Sequence, residues 1–119
     1  TQKILSKDII VNATAVRVPV LIGHSESVTI ETELPIDIKD VVSDFKNNKG
    51  IELIDNPSND EYPTAFINGH GTDKVYVGRV RKSLNSDNIL NIWVVADNVR
   101  KGAALNSVQI AEELIKGVK

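Results

Sequence analysis

The sequence predicts an α+β domain, built as a mixed, largely antiparallel sheet with helices on one face. Three observations lead there. Two strand-like stretches, 74–84 and 89–96, flank the turn Asn85-Ser86-Asp87-Asn88 and read as an antiparallel hairpin. Ile38, Val41, Val42 and Phe45 recur at the spacing of an amphipathic helix, just after an alternating strand-like segment. A second helical pattern runs from Asp97-Asn98 to about Lys116. The 119 residues suffice for one ordinary domain.

Residues 1–7 read as a helix tail or a loop. Asp8 to Val20 is rich in β-branched residues (Ile9, Ile10, Val11, Thr14, Val16, Val18) and predicts a strand. Pro19 puts the end of that strand at an edge or bulge. Ser25 to Glu33 alternates, with Val28 and Ile30 on one face and Ser27, Thr29 and Glu31 on the other. Leu34-Pro35 breaks the pattern. Asp37 is then a plausible N-cap for the first helix, with Asp40 in its first turn and Lys46, Lys49 and Gly50 at its end. Ile51 to Asp55 is a short strand. Residues 56–64 are rich in Pro, Asn and Asp and form a loop, and 65–73 carry no clear pattern. The run from Ile89 to Ala96 is apolar on both faces, which suits a central strand. In the last helix Ala104, Val108, Ala111 and Ile115 line one face. Arg100 and Lys101 stand in its first turn, where cations oppose the helix dipole. That is either a hint that something anionic approaches or simply two solvated side chains.

Composition narrows the function. At 41% hydrophobic and 25% charged residues the chain can bury a core, and with 4% aromatics that core is mostly Val, Ile, Leu and Ala. A net charge of -2 gives no general attraction to nucleic acid or to an anionic membrane. No apolar run approaches the roughly 20 residues of a membrane helix, and no signal peptide is visible. The absence of Cys excludes disulfides, thiolate metal sites and a Cys nucleophile within these residues. No metal-ligand cluster or phosphate-binding Gly-rich loop occurs.

The stretch from Arg17 to Glu26 is the one with chemical content. Arg17 can hold a planar anion by two parallel hydrogen bonds, and His24 can transfer protons near neutral pH. Their spacing of seven would put them on opposite faces of an unbroken strand. They share a pocket only if the chain bends between them, and Gly23 permits that. The alternative is a strand with an exposed Arg and a His at its turn. His70, between two glycines, reads as an exposed loop residue.

Longer motifs carry a resemblance. Ala13-Thr14-Ala15-Val16-Arg17-Val18-Pro19-Val20 and Gly23-His24-Ser25-Glu26-Ser27-Val28 come first. Glu61-Tyr62-Pro63-Thr64, Val77-Gly78-Arg79-Val80-Arg81, the run from Trp93 through Asn106, and Val108-Gln109-Ile110-Ala111-Glu112 follow in order. Together they resemble the aspartate-semialdehyde dehydrogenase family over the whole chain. The resemblance implies the glyceraldehyde-3-phosphate dehydrogenase-like C-terminal fold, in incomplete form. Residues 1–96 would be part of a catalytic and dimerisation domain. Residues 97–119 would be a C-terminal helix that packs on a cofactor domain.

It also implies a reaction. Members reduce L-aspartyl 4-phosphate with NADPH through a Cys thioester, on the route to lysine, threonine and methionine. The resemblance makes His24 the acid/base partner of that Cys, Arg17 the holder of the substrate carboxylate, and Asn98 a cofactor contact. It places Arg100 and Lys101 near bound cofactor. It implies a cytoplasmic homodimer or homotetramer acting on a small molecule. The nucleophilic Cys, the Gly-rich cofactor loop and the phosphate-binding Arg of the family have no counterpart here, so the chain is expected to be a C-terminal fragment, inactive alone. Two alternatives are a non-catalytic dimerisation module of the same fold and the related N-acetyl-glutamyl-phosphate reductase, whose motifs fit less well.

Overall fold

A computed structural model describes residues 2–117. The sheet has four strands: β1 (His24–Glu31), β2 (Ile51–Leu53), β3 (Val75–Lys82) and β4 (Ile89–Ala96). Their spatial order is β1-β4-β3-β2. The β1–β4 and β3–β4 pairs are antiparallel and the β2–β3 pair is parallel, so the sheet is mixed and largely antiparallel, as expected. β4 lies inside the sheet, and its double-sided apolar sequence has its explanation there. Val95 is wholly buried and Leu90 and Ala96 nearly so.

Helix α1 (Ile38–Asn47) packs on the β2–β3 half of the sheet. Its start follows from the sequence. Asp37 is extended and its carboxylate accepts the Lys39 N–H at 2.8 Å, which satisfies one of the orphan donors of the first turn. Asn48 closes the other end, its N–H bonding the Phe45 carbonyl. The stripe Ile38, Val41, Val42 and Phe45 is the half-buried face.

The loop between β2 and β3 covers part of the sheet. Pro63 in that loop is fully buried, and its carbonyl accepts the Trp93 indole N–H at 2.9 Å. The loop lies so close that a β-carbon at Gly78 would collide with the Ile54 carbonyl oxygen and sit 2.6 Å from Pro63 Cδ. Beyond β4 the chain makes a π-helical turn (Arg100–Ala104) and then α2 (Leu105–Gly117). α2 continues directly from that turn, and Val108, Ile110, Leu114 and Ile115 remain more than half exposed.

The strand expected over Asp8–Val20 does not form. Residues 10–18 have no regular structure, and Ile10 and Val16 are 93% and 76% exposed. The reason is physical. β-branched residues favour a strand only where a neighbouring strand supplies ladder bonds and side-chain contacts, and no described residue does so here.

Candidate functional site

The site sits where β1 begins and β4 ends. The register pairs His24, first residue of β1, with Ala96, last residue of β4. Immediately before His24 the chain turns sharply at Gly23, whose φ is +91°. A side chain there would also meet the Gly69 carbonyl oxygen, 2.6 Å from an ideal β-carbon, so both the backbone angle and the space demand glycine. Gly23 thus provides the bend between Arg17 and His24 that the sequence permitted. With it, both residues line one cavity of about 1060 Å³. Asn98 lines the same cavity, so all three residues singled out from the sequence are brought together.

His24 Nε2 lies 2.8 Å from a Glu26 carboxylate oxygen, two residues along the same strand, and both side chains are about half exposed. That contact orients the imidazole and adds little to stability. Asn98 Oδ1 accepts the Gly23 N–H at 2.9 Å. The neighbouring Asp97 is buried at 2% exposure. Its Oδ1 accepts the Val99 and Arg100 N–H groups at 2.9 and 3.0 Å, and its Oδ2 accepts the Gly71 N–H at 2.8 Å. Burial by itself pushes the Asp97 carboxyl up. The three backbone donors, with His70 nearby, outweigh it and hold the group below its ordinary range. His70 is an exposed loop residue, as read from sequence, though its charge acts on Asp97.

Two lining residues were given no role from the sequence: Arg79 and Arg81. The ladder between β3 and β4 slips between Gly78 and Arg81, a β-bulge. Arg79 sits there with φ +56°, an angle few non-glycine residues adopt. The bulge is held by the Val80 N–H donating to Asp55 Oδ2 at 2.9 Å, and by Arg81 Nη1 donating to the Arg79 carbonyl at 2.6 Å. The available signal was Gly78 inside a strand, which often marks a bulge. The cavity lining thus carries three guanidiniums and one imidazole, and no carboxylate. Its potential favours an anion. The cations at the helix start are used locally instead. Arg100 pairs with Asp73 and Lys101 bonds Gln109, and neither lines the cavity.

Residues 1–101 match the family model described as semialdehyde dehydrogenase, dimerisation domain. The chain belongs to that family. Among curated relatives, it is 57% identical to aspartate-semialdehyde dehydrogenase of Shewanella violacea and 51% identical to that of Aquifex aeolicus. Each match covers 98% of this chain and 34% of the relative. Among solved structures, aspartate semialdehyde dehydrogenase II of Vibrio cholerae, complexed with ASA, superposes with a TM-score of 0.89 at 47% identity. That match covers 99% of this chain and 34% of the other. A probable aspartate-semialdehyde dehydrogenase of Pseudomonas aeruginosa superposes with a TM-score of 0.74 at 44% identity, covering 82% and 28%. The chain thus spans about a third of the length of the semialdehyde dehydrogenases it matches. The family and fold agree with the motif resemblance.

Proposed function

We propose that this chain is the clamp-and-base portion of an NADP-dependent aspartate-semialdehyde dehydrogenase, reducing L-aspartyl 4-phosphate to L-aspartate 4-semialdehyde. The observation that carries this reading is Arg17 and His24 on the wall of one cavity whose lining holds three guanidiniums and no carboxylate. In that reading Arg17 grips the substrate carboxylate with its planar fork. His24, oriented by Glu26, takes the proton of a thiol that attacks the acyl phosphate. The acyl–phosphate bond breaks with release of phosphate to leave a thioester. After hydride reduction His24 returns the proton to the thiolate released with the aldehyde. The chain has no Cys, so the thiol is proposed to come from the rest of a longer protein, and this chain alone is expected to be inactive.

NADPH supplies the hydride when bound. The residues here fit one part of that task. With the Asn98 carbonyl oxygen turned to Gly23, its amide Nδ2 is left to donate to the cofactor. Residues 1–96 are assigned to the catalytic and dimerisation domain, and 97–119 to a helix docking on a cofactor domain. The exposed apolar face of α2 supports that assignment. The family description and the exposed Ile10, Val16 and Leu21 support a homodimer or a tetramer of such dimers. Among the described residues no helix is long and apolar enough to cross a membrane, and a cytoplasmic location is proposed.

The test is kinetic, in the intact polypeptide that carries this chain. Arg17→Lys should raise KM for the acyl phosphate with a smaller change in kcat, because Lys cannot make the fork. His24→Ala should lower kcat by about 10²–10⁴-fold. A rise in KM alone on His24→Ala would remove the acid/base assignment.

A further inference from the structure

The Asp97-Asn98 dipeptide does more than start a helix. Its two side chains reach in different directions and grip two separate segments. Asp97 takes the Gly71 N–H with one carboxylate oxygen and the helix-start N–H groups of Val99 and Arg100 with the other. Asn98 takes the Gly23 N–H. The two gripped segments also touch each other, since the Gly69 and Ala65 carbonyls close over the hydrogen face of Gly23.

Gly23 lies one residue beyond the last rung of the β1–β4 ladder, His24 opposite Ala96. Asn98 lies two residues beyond the same rung. In that register the even-numbered residues of β1 make the ladder bonds, as the Thr32 N–H to Asn88 carbonyl bond shows, so Gly23 falls where β4 offers its N–H no backbone acceptor. The Asn98 side-chain oxygen supplies the acceptor at the point where the positive φ of Gly23 turns the chain toward Arg17. The bond is solvent-exposed, so removing its acceptor leaves the Gly23 N–H to water and loosens the bend at the modest cost of one exchanged hydrogen bond. The orientation of the amide group is set by the same bond, because only its oxygen can accept from an N–H.

We propose that Asn98, aimed by the buried Asp97, is a positioning residue for His24. It fixes the Gly23 bend and with it the placement of the imidazole against Arg17. Asn98 and His24 line the same cavity, so a ligand bonded to the amide of Asn98 would act on the bond that holds Gly23. The consequence of that placement for turnover rests on the acid/base reading of His24, but the placement itself can be measured without activity.

The measurement is amide hydrogen exchange and imidazole NMR on the intact polypeptide that carries this chain. In the wild type the Gly23 amide is expected to be protected at the level of the neighbouring β1 amides. Asn98→Leu, which matches the size and removes the acceptor, should speed Gly23 exchange by about five- to tenfold and shift the His24 ring signals. Asn98→Asp, which keeps an oxygen in place, should restore the protection and the ring signals. The Val95 amide serves as a control for global opening. Unprotected Gly23 in the wild type would overturn the proposal without any variant. So would unchanged His24 signals in Asn98→Leu, or failure of Asn98→Asp to restore them. In the intact polypeptide, Asn98→Leu should lower kcat more than it raises KM for the acyl phosphate. If the exchange and ring effects hold while kcat is unmoved, Asn98 still positions His24 and the acid/base assignment fails instead.

Discussion

β4 and the stretch from Asp8 to Val20 are written in similar residues and have opposite fates. Both are rich in Val and Ile. β4 becomes the inner strand, flanked by β1 and β3, with Val95 wholly buried. Asp8–Val20 has no strand beside it among the described residues and leaves Ile10 and Val16 exposed. The difference teaches that a β-branched run states a preference, and that a neighbour supplies the strand. The functional stretch draws on both regions. His24 belongs to the paired part, and Arg17 lies in the unpaired part and reaches the same cavity only across the Gly23 bend.

The largest expected effect lies inside the sheet. Gly78→Val drives a side chain into the Ile54 carbonyl and Pro63, both backed by the sheet. It should cost about 4 kcal/mol or more and leave little folded protein by circular dichroism. Next comes a matched pair that sets the two regions side by side. Leu90→Ala, at 5% exposure, should lower stability by about 2–5 kcal/mol in urea unfolding. Ile10→Ala, at 93% exposure, should change it by no more than about 0.5 kcal/mol. Equal losses would mean that the unpaired segment is packed in solution and would break the comparison.

Smaller effects probe the junction between the two regions. Asp97 has its carboxyl held below its ordinary value of 3.8 in the folded state, so the folded state favours the charged form. Its contribution is present above the ordinary carboxylate range and is lost as pH falls through the lower folded value. Asp97→Asn should therefore destabilise the chain at neutral pH and flatten the acid limb of a stability–pH curve. An unchanged acid limb would show that the three backbone donors do not hold the charge. Trp93→Phe removes the indole donor to Pro63 and should cost about 1 kcal/mol, read by thermal unfolding.

Much of this was legible in the residues. The hairpin of β3 and β4, the α1 stripe and the Asp37 cap were local signals, and local signals need no partner. Gly23, between Arg17 and His24, marked where a bend could form, although the opposite-face spacing presupposed a strand through Arg17 and none forms there. What could not be read was non-local. The fate of Asp8–Val20 depended on whether a strand lay beside it. The role of Arg79 depended on a bulge whose partners, Asp55 and Trp93, are far off in sequence. The use of Asn98 as an acceptor depended on Gly23 arriving from 75 residues away. Arg100 and Lys101 were open to two readings, an approaching anion or solvated side chains, and their contacts with Asp73 and Gln109 were not legible in the sequence.

The smallest expected effect on folding is the most informative about the unpaired region. Leu21 is fully exposed in the described chain and lines the cavity beside Arg17. Leu21→Ser should change the stability of the monomer by less than about 0.5 kcal/mol at low protein concentration. If a second copy covers this segment, each apolar side chain it buries stabilises the pair by roughly 1.5–3 kcal/mol. Leu21→Ser should then weaken the dimer about tenfold or more in sedimentation equilibrium, while leaving the monomer's unfolding midpoint in place. A dimer indifferent to Leu21→Ser would place the contact elsewhere, on α2 or on the loop carrying Phe66, which is 87% exposed. A chain that stays monomeric at every concentration would leave the neighbour of residues 8–22 to be supplied by other parts of a longer polypeptide. The Arg17 side of the cavity would then be shaped only when that neighbour is present.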